Sequence, residues 1–479
     1  MRLLLLGDFA GAAATSRTPL KDRRVHRVDV DLLDTVMQRV APAIELTVGA
    51  GSCRFSPQSL DDFHPDRLLA LLPPLAHALG RLQRLQSSAT FAQAAAEMNL
   101  DVSAPVASAS STPATPASAP ASAPTSAPAQ GGDLLGQLLG GQVKPAGAAS
   151  ASPAPTAAPA KGIDALVRSI VAEHIVAPAP ANQAVYVAAA RAELTSLLRS
   201  VLHAQAFQAL EAAWRGLHFL VSRLELDPAL QVHVLDASRA ELVADIVAAG
   251  GRMEDTGLCA TALHRWCAPA TGESCAALIA LHEFGPSDAD IGLLAALGML
   301  AARMAAPLVA GGDLALAQGE QAGAAGWHAL RRSEVAPWIA LVAPRLLLRL
   351  PYGKGYEATE HFAFEEIAAS APNSDFVWGC GALAAAWSLG RAFAADGWQG
   401  DVATERELDD LPAYTHVLAD GERELQACAE VFLSEQALDG LLSNGLMPLA
   451  SHRHRNAATL LRWQSVALPA QALRGLPGA

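Results

Sequence analysis

Glu357, Glu360, His361, Glu365 and Glu366 crowd four carboxylates around one imidazole, the densest acidic stretch of the chain. A carboxylate pair beside a histidine can pass protons, so these residues are the best opening for general acid/base chemistry. Their local pattern is equally that of a solvated face, and solvent exposure is the expectation here. Cys259, Cys267 and Cys275 recur every eight residues, with His264 between them and His282 after. They offer metal-capable atoms without the close ligand pairs of a zinc knuckle, so buried free thiols are expected. Ser451-His452-Arg453-His454-Arg455 lacks a second ligand pair and reads as a solvated basic loop. Gly311-Gly312 and Pro351-Tyr352-Gly353-Lys354-Gly355 have neither the GxxxxGK[ST] nor the GxGxxG spacing that wraps backbone N–H groups around phosphates. No GxSxG elbow or HExxH helix occurs. These readings predict no catalytic residue, no metal and no cofactor: a non-enzymatic, multi-domain interaction protein.

Composition narrows the partners. The chain has 479 residues, 51% apolar and 17% charged, with a net charge of −13. Such an acidic chain is poorly suited to neutralising phosphates, so no nucleic-acid partner is expected. The longest apolar run, residues 291–302, is short of the roughly 20 residues of a spanning helix, and Gly7-Asp8 cuts the opening leucines below signal-peptide length. No membrane insertion is expected. Six cysteines without a CxxC pair suit reduced thiols and a cytoplasmic location.

The elements that must position these residues fall into three stretches: 1–100, 101–160 and 161–479. Between residues 103 and 160, Ala, Pro and Ser alternate with almost no bulky side chain, which predicts a disordered linker. Its first 28 residues contain six prolines; as a partly polyproline-II tether they reach on the order of 90 Å. Within it, residues 133–139 place Leu134, Leu135, Leu138 and Leu139 on one face of a short helix. Before the linker, strands are predicted at 2–6, 25–30 and 44–48. Helices follow Asp31 as cap and run over 67–85. After it, residues 163–221 read as mainly helical. Phe207, Leu210, Trp214, Leu217 and Val221 share one face there, with Glu211 and Arg215 one turn apart and able to pair. A strand at 276–281, a helix at 288–305 and a strand at 307–310 form a βαβ passage; strands at 338–342 and 345–350 and a helix at 375–393 follow. The fold class is α+β, with a mixed sheet flanked by helices in the larger part.

Two stretches are familiar. Leu5-Leu6-Gly7-Asp8-Phe9 and Ser59-Leu60-Asp61-Asp62-Phe63-His64-Pro65-Asp66 resemble the small subunit of the type VI secretion contractile sheath (VipA-like). After the linker, the run from Phe207 through Glu211, Trp214 and Arg215 to Leu217 resembles the large subunit (VipB-like). So do Pro344-Arg345-Leu346-Leu347-Leu348-Arg349-Leu350-Pro351-Tyr352-Gly353, Phe364-Glu365-Glu366, Phe376-Val377-Trp378-Gly379 and Gly445-Leu446-Met447-Pro448-Leu449.

The resemblance implies a natural fusion of two subunits that otherwise form a heterodimer; a tether makes their association intramolecular. It implies a structural role in a sheath that surrounds an inner tube and contracts. The implied partners are further copies or standard sheath subunits, the inner-tube protein, the baseplate and an AAA+ disassembly ATPase, for which Leu134, Leu135, Leu138 and Leu139 would be the docking segment. It further implies that the two halves pair edge to edge and that the chain packs through the helix of Phe207, Trp214 and Leu217, with Arg215 pairing within or between the halves; Leu210, Glu211, Asp62, Phe63, His64 and Asp66 are carried over as interaction or structural residues. Tyr352 and Trp378 serve packing. The family continues beyond the match at Gln464-Ser465, so the large part reads as truncated. A second expectation from the same resemblance is a non-polymerising accessory that binds the sheath end, baseplate or ATPase.

Overall fold

In the computed structural model the run Leu3-Leu4-Leu5-Leu6 lies in strand β1 (Arg2–Gly7), where all four side chains are fully buried. An uninterrupted apolar strand needs cover on both faces, the usual setting of a parallel strand inside a layered sheet. The structure describes residues 1–14, 17–98, 182–267, 275–318, 324–368, 372–417 and 421–476. The 103–160 stretch, with Leu134, Leu135, Leu138 and Leu139, lies outside the described residues.

The described residues fall into two compact units, one comprising Met1–Arg84 with Val187–Ala479 and the other Leu85–Tyr186. In the second, helix α4 (Phe91–Met98) sets Phe91 edge-on to Tyr186 at 5.6 Å, and Gln183 Nε2 donates to the Leu85 carbonyl at 2.7 Å. Helices α3 (Pro73–Gln86) and α5 (Gln183–Leu202) flank α4 in the sequence.

The larger unit is built on a nine-stranded mixed sheet of order β11-β15-β14-β8-β7-β6-β1-β5-β2. Its strands after β1 are β2 (His26–Val28), β5 (Gln231–Asp236), β6 (Ala277–Phe284), β7 (Leu308–Gly312), β8 (Ile339–Ala343), β11 (Glu407–Leu408), β14 (Leu446–Ser451) and β15 (Ala458–Leu460). The strands from β5 through β1, β6, β7 and β8 to β14 are parallel; β2, β15 and β11 close the edges antiparallel. Strand β1 pairs with β5 from Arg2↔Gln231 to Gly7↔Asp236 and with β6 from Leu3↔Ala277 to Leu6↔Ala280. This corrects the expected edge-to-edge pairing of two halves: β1 is an interior strand, flanked on both sides by strands from beyond residue 230.

Alternation along the strands feeds two cores. Leu4, Leu6, Leu278, Ala280, Leu308, Ala310 and Leu341 share a cluster with Leu293, Leu297 and Leu300 of helix α8 (Asp288–Met304). Helix α10 (Ala382–Asp396) also packs against the sheet, on β6, β7 and β8, and helix α6 (Gln205–Arg223) packs on α10. The predicted βαβ passage is β6, α8 and β7, opened by Ser287 accepting from the Asp290 N–H at 3.1 Å.

Elsewhere the boundaries differ. Helix α1 (Leu33–Val40) is preceded by Asp29, not Asp31, accepting from the Leu32 N–H. The helix expected over 67–85 is two, α2 (Pro65–Leu71) and α3, because Leu72 is extended ahead of Pro73. Of 345–350 only β9 (Leu346–Leu347) pairs, with β10 (Trp378–Gly379), so α10 starts later than expected. Strand β4 (Gly51–Phe55), which forms a hairpin with β3 (Ile44–Val48), β5, and helix α7 (Arg239–Ala248) were not apparent in the sequence pattern. A hairpin of β12 (Thr415–Val417) and β13 (Arg423–Leu425) and helices α9 (Ala324–Arg331) and α11 (Glu435–Ser443) complete the unit.

Candidate interaction site at the seam of the two sequence halves

Helix α6 carries the seam. Its apolar stripe repeats at three and four residues, and every member of Phe207, Leu210, Trp214 and Leu217 is buried. Trp214 meets Phe9, just past β1, edge-to-face at 5.3 Å, and its Nε1–H donates to the Phe9 carbonyl at 2.9 Å. Two turns earlier, Phe207 forms a triangle with Phe55 of β4 and Phe63, at centroid distances of 5.4, 5.5 and 5.4 Å. Asp62 shapes the turn that delivers Phe63: its carboxylate accepts from the Gln58 and Ser59 N–H groups at 2.7 and 3.2 Å. Edge-to-face aromatic contacts of this kind add about 1 kcal/mol each beyond their area.

The same stripe buries a charge. Glu211 has no exposure, yet it receives Arg215 Nε at 2.7 Å and Arg349 Nε at 2.7 Å. Arg349 also grips Glu366 through two bonds of 2.7 and 2.9 Å, and Glu366 accepts from the Tyr352 N–H at 2.7 Å. Arg215 donates to the Tyr352 hydroxyl at 2.9 Å, while Arg349 stacks over the Tyr352 ring at 4.3 Å. Burial alone would raise the Glu211 pKa; Arg349 and then Arg215 outweigh it and hold the carboxyl below its ordinary range. Burial opposes the Arg349 charge too, but Glu211 and Glu366 raise its pKa well above the usual value. Burial pushes the Tyr352 phenol up to about 12. Each carboxylate oxygen in this network accepts at least one hydrogen bond, which is the condition under which buried charge is tolerated.

His64 and Asp66 extend the network outward. The His64 ring stands edge-on to Tyr352 at 5.0 Å, its Nδ1 accepts from the Asp66 N–H, and its Nε2 lies 3.5 Å from Glu357. Asp66, in the first turn of α2, accepts from the Glu360 and His361 N–H groups at 2.9 and 3.4 Å. A cavity of about 560 Å³ opens between His64, Asp66, Tyr352 and Glu360.

A second polar join lies past the end of β1. Asp236, at the end of β5, accepts from the Phe9 and Ala10 N–H groups at 2.8 and 2.9 Å. Arg23 donates to the Asp236 carbonyl at 2.8 Å and to Glu241 at 2.6 Å; Arg17 bridges Asp8 and Glu241. Burial opposes the Glu241 charge, but Arg23 and the Ser238 N–H bring its pKa down to about 2.

The structure thus gathers Asp62, Phe63, His64, Asp66, Phe207, Leu210, Glu211, Trp214, Arg215, Leu217 and Tyr352 along one seam. Trp378 stands apart from the polar network, in β10, donating to the Asn373 carbonyl at 2.7 Å. The expectation of a solvated acidic face holds for Glu357, Glu360, His361 and Glu365, which are exposed; it is corrected for Glu366, which is buried because Arg349 needs a second carboxylate. The sequence reading gave Arg349 no role of its own and placed Glu366 on a solvated face. The signals were there: Arg349 is a lone charge in an apolar run, and Glu211 sits on the apolar stripe, so both had to be buried and paired. Cys259, Cys267 and Cys275 are free and buried, while Arg455 of the basic loop pairs with Glu407 and Asp409.

Comparison with known proteins accounts for this convergence. The VipB profile, described as EvpB/VC_A0108, tail sheath N-terminal domain, matches residues 185–322 and 313–467. The profile described as type VI secretion system, VipA, VC_A0107 or Hcp2 matches residues 1–103. The chain belongs to the type VI secretion sheath family. It joins a VipA-like and a VipB-like sequence in one polypeptide, and the seam is where these two sheath sequences meet. A Pseudomonas aeruginosa relative, type VI secretion system sheath protein TssC1, is 31% identical over 305 residues. The match covers 60% of this chain and 61% of the relative, so the chain spans less than two thirds of that protein's length. No described helix of this sheath-family chain is long and apolar enough to cross a membrane.

Proposed function

We propose that the protein is a structural subunit of a type VI secretion sheath, in which one polypeptide supplies what a small and a large subunit otherwise supply together. The observation that carries this reading is β1. A VipA-like strand sits between two VipB-like strands, paired with one from Arg2 to Gly7 and with the other from Leu3 to Leu6. A strand so placed contributes to the core of the building block, not to a detachable accessory face. The block is non-enzymatic and cytoplasmic and assembles with further copies or with standard sheath subunits around an inner-tube protein. Baseplate and AAA+ ATPase are its further partners, the latter through Leu134, Leu135, Leu138 and Leu139. Electron microscopy with light scattering on the purified chain, with and without inner-tube protein, tests this. Tubes or stacked rings are expected; a persistent monomer of about 50 kDa in both conditions overturns it.

A further inference from the structure

We propose that the outer edge of β2, with the arginine-lined cavity beside it, docks an extended acidic segment of a partner chain. This inference is independent of the sheath assignment. Strand β2 ends the nine-stranded sheet: β5 covers one side and no described strand covers the other. An open edge presents backbone donors and acceptors to any extended chain that reaches it. Beside it lies a cavity of about 470 Å³ lined by Arg17, Arg23, Arg24, His26 and Arg39, with small walls at Ala10, Ala14 and Ala41.

The arginines fall into two sets. Arg17 and Arg23 form the inner wall, and their charge is answered by Asp8, Asp236 and Glu241. Arg24 and Arg39 on the rim, and Arg27 on the strand, are exposed, and none pairs with a carboxylate of the described residues. Asp22 is the rim's acidic member, exposed at the mouth. The half-buried His26 lies near enough to Arg39 and Arg24 that, after burial, their charge lowers its pKa. Unanswered cations around one cavity stand out in a chain of net charge −13.

The two features select one occupant. A cavity alone would take a free anion, and an edge alone any strand; together they fit an extended peptide whose alternate side chains carry carboxylates. Backbone bonds to β2 give affinity, and guanidinium–carboxylate pairs give register and selectivity. The basic rim repels a second copy of the same edge, so the site favours an acidic partner over self-pairing.

Fluorescence anisotropy on the full chain tests it, with a labelled hexapeptide alternating valine and glutamate. The glutamate peptide is expected to bind, and its glutamine counterpart to bind about tenfold weaker, with affinity falling as salt is raised. Arg24→Glu with Arg39→Glu, both at exposed positions, should lose binding by at least the same factor while the melting curve stays unchanged. A version N-methylated at every residue should not bind, because it offers no backbone N–H to the strand. Equal binding of the glutamine or N-methylated peptide overturns the proposal, as does binding that survives charge reversal. Complete displacement by inorganic phosphate also overturns it, reassigning the cavity to free anions.

Discussion

Trp214 and Glu211 stand three residues apart on one helix face, neither with any exposure, and they join the VipA-like and VipB-like sequences by opposite physics. Trp214 buries an aromatic ring against Phe9 and spends its single donor on the Phe9 carbonyl. Its contribution is graded: each atom removed forfeits contact area and leaves a void. Glu211 buries a full charge held by two arginines, one of them, Arg349, shared with Glu366. That contribution is close to all-or-none, because removing any member leaves another buried and unanswered. The apolar half of the seam therefore sets how tightly the sequences are held. The charged half sets which arrangement is allowed.

The largest expected effect breaks the charged half. Arg349→Ala leaves Glu211 and Glu366 buried without their shared cation and should lower stability by about 4 kcal/mol, read from urea denaturation. Replacing all three together, Arg349→Met with Glu211→Leu and Glu366→Leu, should restore only part of that loss, since an apolar set of similar volume removes the buried charges but leaves Arg215 and the Tyr352 N–H without their carboxylate acceptors. A loss below about 1 kcal/mol for Arg349→Ala would mean water reaches the cluster and the contrast with Trp214 is false.

Trp214→Phe gives the graded counterpart. It keeps an aromatic ring but removes the indole N–H and part of the volume, leaving the Phe9 carbonyl without its donor. The expected cost is about 2 kcal/mol, smaller than for Arg349→Ala. Adding Phe9→Leu should give a double-mutant coupling of about 1 kcal/mol, because the two rings touch.

The two halves of the seam also differed in how far they could be read in advance. The stripe Phe207, Leu210, Trp214, Leu217 is a local pattern, and helix period alone shows that it is buried. The burial of β1 was equally legible from four consecutive leucines. Its neighbours were not: β5 and β6 lie more than 220 residues away, and an apolar run states that it must be covered without stating by what. Strand β5 escaped notice because His233 interrupts its apolar residues. Glu366 was misjudged for the same reason: its environment is set by Arg349, and pairing across a fold has no period. The basic rim around Arg24 and Arg39 belongs to this class, since α1 brings residues together that only the fold makes neighbours.

His233 supplies the smallest and most gradual of these effects, and it contrasts a buried neutral group with the buried charges of the seam. It faces Trp266 at 5.2 Å from within β5, and burial, aided by Arg2 and Arg27, depresses its pKa from 6.5 to about 3. The fold therefore holds the neutral ring, and the unfolded chain takes up a proton first as pH falls. Stability from this group is complete above pH 6.5 and is lost on acidification between 6.5 and about 3. The slope is at most about 1.4 kcal/mol per pH unit. Glu241, brought to about 2, gives way only at lower pH, below the ordinary carboxylate value of 4.5. Chemical denaturation at pH 7.5 and 5.5 should separate them: His233→Phe should flatten the loss over that interval, while Glu241→Gln should leave its slope unchanged. An unaltered slope in His233→Phe would place the acid sensitivity elsewhere, with His282, depressed to about 4 by burial and then Arg239, as the next group to replace.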